Sequence, residues 1–247
     1  MASIVRYDSK PVLKDPIFIE ALPGIGDVGK VAGDFIAESF GAKRFASIYS
    51  EDFPPQVTVD DDCVAHMACN ELWHSSVGGR DVIFLRGDFQ GSTPEGQFYL
   101  AQDVMNILLD YNVSRIVTLG GFGTGCMVEN PRVLGAVSKK ELKAELEGYG
   151  VVFSPGEPEA GILGATGLLL GLGKIYGIDS VCLMGETSGF FVDHKGALAI
   201  VGVLMKILGT EYDTSDLKAK CVQIEELTAK VKEIDDRDSR DTLTYIR

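Results

Sequence analysis

Basic side chains are the first shortage in this sequence: 23 lysines and arginines face 36 aspartates and glutamates, a formal net charge of −13. A surface of that sign repels phosphates, which excludes nucleic acid as an expected partner. Long apolar runs are missing too. The longest stretch of apolar and small residues, Gly161 to Gly173, falls well short of the roughly 20 residues a spanning helix needs. The opening MASIVRYDSK has no apolar signal-peptide core, so a cytoplasmic protein that uses no membrane is expected. Five cysteines, with no C-x-x-C pair, point to reduced thiols packed as small hydrophobes, not to a disulfide framework.

What remains is a chain of 247 residues with 45% hydrophobic residues, enough for one sizeable core. Apolar strands alternate with helical patterns. Ile17-Phe18-Ile19 reads as a strand ending near Leu22, and Val28, Val31, Ala32, Phe35, Ile36 and Phe40 paint one face of the next helix. Arg44 to Tyr49 follows as a strand. From Val57 to Trp73 the chain alternates, predicting a half-buried antiparallel strand with a break at Asp60 to Asp62. After a Gly78-Gly79 turn come strand Val82 to Leu85, helix Glu95 to Tyr111, strand Ile116 to Leu119, helix Lys139 to Tyr149, helix Gly161 to Tyr176, strand Val181 to Met184 and helix His194 to Leu208. This order predicts a three-layer α/β/α sandwich with a mixed sheet over residues 1–209. Residues 210–247 read as an appendage of the same domain: an amphipathic seam from Leu217 to Ile234, a charged stretch, and an apolar tip.

The segment GIGDVGK, Gly24 to Lys30, matches two phosphate-binding patterns at once. The Walker A reading fails at Val31, where a hydroxyl should hold Mg²⁺. The dinucleotide reading lasts longer, because the loop joins a strand to a helix and Glu51 and Asp52 follow at a suitable distance. Asp27 opposes it, since a carboxylate capping the helix start would occupy the site of a pyrophosphate. The plainer reading has these glycines allowing close helix-to-strand packing. Gly120-Gly121-Phe122-Gly123-Thr124-Gly125 also follows a strand and reads either as a ligand-approaching loop or as a crossover.

Cys63, His66, Cys69 and His74 have the residue types of a zinc site, but strand alternation sets the cysteines and histidines on opposite faces, so no metal is expected. Asp193 reads as the cap of the last core helix. No nucleophile with a convincing base is visible, and neither a catalytic residue nor a cofactor is assigned.

Several landmarks occur together in order. Leu22-Pro23-Gly24-Ile25-Gly26-Asp27-Val28-Gly29 precedes an amphipathic helix; then come Ser50-Glu51-Asp52-Phe53-Pro54-Pro55, Leu119-Gly120-Gly121, Met184-Gly185-Glu186-Thr187 and Asp193-His194-Lys195-Gly196-Ala197. From about Ile17 to Leu208 the chain resembles the PAC2 family, archaeal relatives of proteasome assembly chaperones, some of which carry an ATP-grasp superfamily label. The resemblance implies a fold similar to nucleoside phosphorylases, no catalysis, and homo-oligomers that engage proteasome α subunits. It also implies a partner-binding tail at Leu243, Tyr245, Ile246 and Arg247, although Tyr245 stands one place earlier than in the hydrophobic-tyrosine-any-residue ending of similar proteins. His194 is a second departure, because the family commonly has proline there. The alternative is a nucleotide- or nucleoside-binding enzyme whose ligand loops are 24–29, with Gly24, Gly26 and Gly29, and 120–125, with Gly121 and Gly123.

Overall fold

A chain that alternates apolar strands with amphipathic helices must cover its sheet on both faces, because each helix has only one stripe to bury. The computed structural model, which describes residues 3–159 and 161–224, has this arrangement. In chain order the elements are β1 (Ile4–Tyr7), β2 (Ile17–Ala21), α1 (Val28–Ser39), β3 (Lys43–Tyr49), β4 (Val57–Val59), β5 (Ala65–Met67), β6 (Asn70–Val77), β7 (Arg80–Gly87) and α2 (Pro94–Asp110). There follow β8 (Arg115–Gly123), β9 (Val133–Val137), α3 (Lys143–Gly148), β10 (Val151–Val152), α4 (Gly164–Tyr176), β11 (Asp179–Thr187) and α5 (His194–Leu208). They belong to a unit spanning Met1–Tyr212, and Asp213–Arg247 forms a second unit in which residues 215–224 are helical.

Nine strands make one mixed sheet in the order β1-β3-β6-β7-β2-β8-β11-β9-β10. At its centre β7, β2, β8 and β11 run parallel. All five residues of β2 are buried, as a parallel strand covered on both faces requires. Strands β1, β3 and β6 extend the sheet antiparallel on one side, and β9 pairs antiparallel with β11 on the other. Helices α1 and α5 pack together over one face, and α2 and α4 over the other. Phe18, Phe45, Leu72, Ile83, Met105, Leu108 and Ile116 fill the core beneath α2 and α4.

Three expectations change. The alternating segment 57–73 is not one half-buried strand: β4 and β5 form a separate two-stranded hairpin, and only β6 joins the main sheet. Its turn is set by Asp60, whose Oδ1 accepts from the amides of Asp62 and Val64 while Oδ2 bonds His66 Nε2 at 2.8 Å. The cysteines are not uniformly core residues either. Cys182 and Cys221 are buried, but Cys63 and Cys126 are exposed and Cys69 is half-buried. Finally, the helix expected from Lys139 to Tyr149 is a 3₁₀ turn, Lys140–Leu142, followed by the six residues of α3.

Candidate functional site

The four central parallel strands end on one side of the sheet. There α1 leaves β2 over one face and α2 leaves β7 over the other, the kind of divergence at which open α/β sheets form a crevice. A groove of about 1120 Å³ lies at this point, bordered by the loop after β2 (Pro23 to Ile25), the segment Asp88 to Ser92, the end of β8 (Leu119 to Gly123) and the approach to α4 (Pro158, Glu159 and Gly161 to Gly164).

Gln90 ties two of these walls together. Its Nε2 donates to Pro23 O at 2.7 Å, and its Oε1 accepts from the Ala165 amide in the first turn of α4 at 2.9 Å. Asp52 anchors a third wall: its carboxylate accepts from Thr93 N at 3.0 Å and Thr93 Oγ1 at 2.7 Å, and Thr93 Oγ1 in turn caps α2 by accepting from Gly96 N. Asp52 is therefore a bracket for α2. That role leaves its oxygens engaged, where a dinucleotide reading would have offered this acidic region to a ribose.

Beneath the groove sits Glu20, a fully buried carboxyl in the middle of β2. Its Oε1 accepts from Leu22 N at 3.1 Å, and its Oε2 accepts from Leu119 N at 3.3 Å and Thr166 Oγ1 at 3.1 Å. Burial pushes its pKa from the ordinary 4.5 up to about 7, because these three donors only partly replace lost hydration. Thr166 Oγ1 also lies 3.2 Å from Leu119 O. A protonated Glu20 can thus donate to Thr166 while Thr166 donates to Leu119. Nearby Cys182 is likewise buried, and its thiol is pushed up to about 12, so it stays neutral and unreactive.

At the end of β11, Glu186 is held by Arg132. The guanidinium Nε donates at 2.8 Å, the second nitrogen makes a shorter contact, and the Arg132 amide donates at 2.9 Å. These bonds hold the Glu186 carboxyl below the usual range and fasten the lead into β9 onto β11. Asp193 caps α5 as expected, accepting from Lys195 N and Gly196 N, both at 3.0 Å. Asp27 does not cap α1. It adopts a left-handed conformation (φ +47°) and accepts from Gly24 N at 3.4 Å, which closes its own turn and leaves the amides of α1 without that cap.

The two glycine loops come together, and they largely fill each other. A Cβ on Gly121 would lie 2.0 Å from Ile25 O, one on Gly29 2.5 Å from Leu119 O, and one on Gly26 2.7 Å from Thr187 Oγ1. Gly24 has open space around it, and a Cβ on Gly123 would meet only Ile25 Cγ2 at 3.5 Å. Gly24, Gly121 and Gly123 border the groove. Leu243, Tyr245, Ile246 and Arg247 lie outside the described residues. Among the described residues, no three His, Cys, Asp or Glu side chains cluster so as to hold a metal ion, and no helix is long and apolar enough to cross a membrane. Sequence reasoning passed over Glu20, although a lone acid inside the apolar run IFIEA was a visible signal.

The model of the PAC2 family matches residues 18–232. The chain is similar to the crystal structure of PbaB from Pyrococcus furiosus, described as an archaeal proteasome activator: 34% identity, coverage of 93% of this chain and 98% of that one, and a TM-score of 0.86. It is also similar to PbaA of the same organism, described as an archaeal homolog of proteasome-assembly chaperone, at 26% identity, 96% and 95% coverage and a TM-score of 0.79. Among curated sequences, the uncharacterized protein MJ1210 of Methanocaldococcus jannaschii is 34% identical over 238 residues, 96% of this chain and 91% of its own length.

Proposed function

Because this chain belongs to the PAC2 family, we propose that it is a non-enzymatic assembly chaperone of the cytoplasm that binds proteasome α subunits as a homo-oligomer. The observation that carries the reading is the extent of the family match, residues 18–232, which runs from β2 through α5 and does not depend on any one motif. The close packing of Gly26, Gly29 and Gly121 supports the non-enzymatic part, because it explains the phosphate-like patterns without a ligand. The tip residues Leu243, Tyr245, Ile246 and Arg247 are proposed as one contact with the partner. Native mass spectrometry of the full chain and of a form truncated after Asp241, each mixed with α subunits from the source organism, tests both parts. Full-length chain is expected to form a complex that the truncated form loses or weakens. A complex that persists unchanged assigns recognition to the folded surface, and no complex with either form contradicts the chaperone reading.

The β4–β5 hairpin supports self-association. Val57, Val59 and Met67 are 56%, 63% and 64% exposed, and a two-stranded ribbon with no cover is marginal in water. A second copy laid over this apolar face would supply the missing layer. Val59→Lys together with Met67→Lys is expected to shift the mass seen in sedimentation toward the monomer while leaving the melting temperature of the body unchanged. An oligomer that survives both lysines would remove the hairpin from the interface.

A further inference from the structure

We propose that the groove at the ends of the central parallel strands is a docking site for an extended, apolar peptide segment carrying basic residues, supplied by a protein partner. At about 1120 Å³ it exceeds the roughly 300–1,000 Å³ of small-molecule pockets. Its floor and rim are apolar, with Ile25, Leu119, Phe122, Leu163 and Met184 among them. Leu163 is 81% exposed, a large side chain left facing water at the mouth.

Charge decides what fits. Among the described residues that line the groove, the charged ones are Asp88 and Glu159, and none is a lysine or arginine. Asp88 already pairs with Lys30 at 3.2 Å, which leaves Glu159 as the stronger attractor for an incoming cation. The exposed apolar hairpin of a second copy is a poor occupant, since it is tipped by Asp60, Asp61 and Asp62 and would bring like charge to Glu159. The occupant is therefore a different, basic segment. Gln90 bonds to both walls and holds them in place, which lowers the ordering that binding must supply.

The inference rests on the assembly-chaperone reading in one respect only, in taking the α subunit as the source of the segment. The first probe is a fluorescein-labelled heptapeptide of alternating leucine and lysine, measured by anisotropy beside its leucine–glutamate counterpart. The leucine–lysine peptide is expected to bind at least tenfold tighter. Leu163→Ser is expected to weaken it at least tenfold, and Glu159→Lys to erase the preference. Leu163 occupies the N-cap of α4, where serine is favoured, so that variant keeps its melting temperature. Equal binding of both peptides, indifference to Leu163→Ser, or binding of ATP or a nucleoside with no peptide binding would overturn the proposal. The same variants are then mixed with intact α subunit. Loss of that complex with Leu163→Ser supports the groove as the contact; a complex that Leu163→Ser leaves intact overturns it while the chaperone reading stands. Peptide binding by a wild-type chain that ignores α subunits keeps the groove and contradicts that reading.

Discussion

Replacing Gly29 by alanine is expected to lower stability by about 2 kcal/mol, a fall in melting temperature of roughly 4–8 °C for a chain of this size. The sign is the informative part. Within a helix, glycine to alanine normally gains about 1 kcal/mol, because alanine loses less backbone freedom. At Gly29 the added methyl would lie 2.5 Å from the backbone oxygen of Leu119, and at Gly33 a Cβ would lie 2.2 Å from Ala21 Cβ. Neither neighbour can swing away as a flexible side chain would, so α1 must lift from the sheet. Gly171 of α4 and Gly202 of α5 have nothing within 4 Å of the same added atom. Gly171→Ala and Gly202→Ala should each stabilise the protein by roughly 0.5–1 kcal/mol. Thermal melts of the four single variants check the contrast. If Gly29→Ala stabilises like the two controls, the glycines of GIGDVG are free for another purpose and the packing account of that loop is wrong.

Glu20 gives the largest expected effect, and it depends on pH. Its folded pKa is raised, to about 7 against an ordinary 4.5, so the folded state holds the proton more tightly than the unfolded chain. Below about pH 4.5 the carboxyl is neutral in both states and costs nothing differential. Between 4.5 and 7 the unfolded chain releases its proton while the folded protein keeps it, and stability falls as pH rises; above 7 the loss is complete. The total is about 3 kcal/mol. Carboxylates held low by partners, such as Glu145 on Arg115 and Glu186 on Arg132, act with the opposite sign and at lower pH, losing their contribution as pH falls. Comparison with Glu20→Gln isolates the term, since glutamine keeps a polar side chain of the same shape but cannot ionise. Urea titrations at pH 4.5, 6 and 8 should show wild type losing about 3 kcal/mol relative to Glu20→Gln across the series. Parallel curves for the two proteins would mean that Glu20 titrates normally and that its hydrogen bonds to Leu22, Leu119 and Thr166 fully replace water.

Most of the α/β/α body was legible because its strands and helices carry their own signals. β2 is an apolar run interrupted only by Glu20, α1 shows a clean 3.6-residue stripe, and Asp193 stands where a cap belongs. The features that escaped depend on neighbours distant in sequence. β9 is five residues of ordinary apolar character, and its strand identity comes from pairing with β11 more than forty positions later. The alternation of β4 and β5 implied a covered face, yet periodicity reports which residues share a side and not whether anything lies over it. Three consecutive aspartates at 60–62 were the local hint that the chain turns there. At the candidate site, the plainer reading of GIGDVGK, glycines that let a helix pack close to a strand, agrees with the contacts at Gly29 and Gly33, but the sequence did not say which atoms they meet. Gly29 and Gly121 were legible as glycines, whereas the backbone oxygens they press against belong to the strand and the loop that cross them. Glu20 is marked in the sequence only as a lone acid in IFIEA and Gln90 by nothing, and the roles of both come from burial and from partners such as Thr166 and Ala165, seventy or more residues away.

If the chain promotes assembly of proteasome α subunits, as proposed, the rate of that assembly must respond to it. α Subunits from the source organism are followed by light scattering with and without the chain at substoichiometric amounts. Faster formation or a higher yield of α-subunit assemblies is expected, with the chain found bound to them along the way. An unchanged time course with no bound chain, alongside a rise in the chain's melting temperature on adding millimolar ATP, NAD or nucleoside, would contradict the proposal and assign the groove to a small-molecule function.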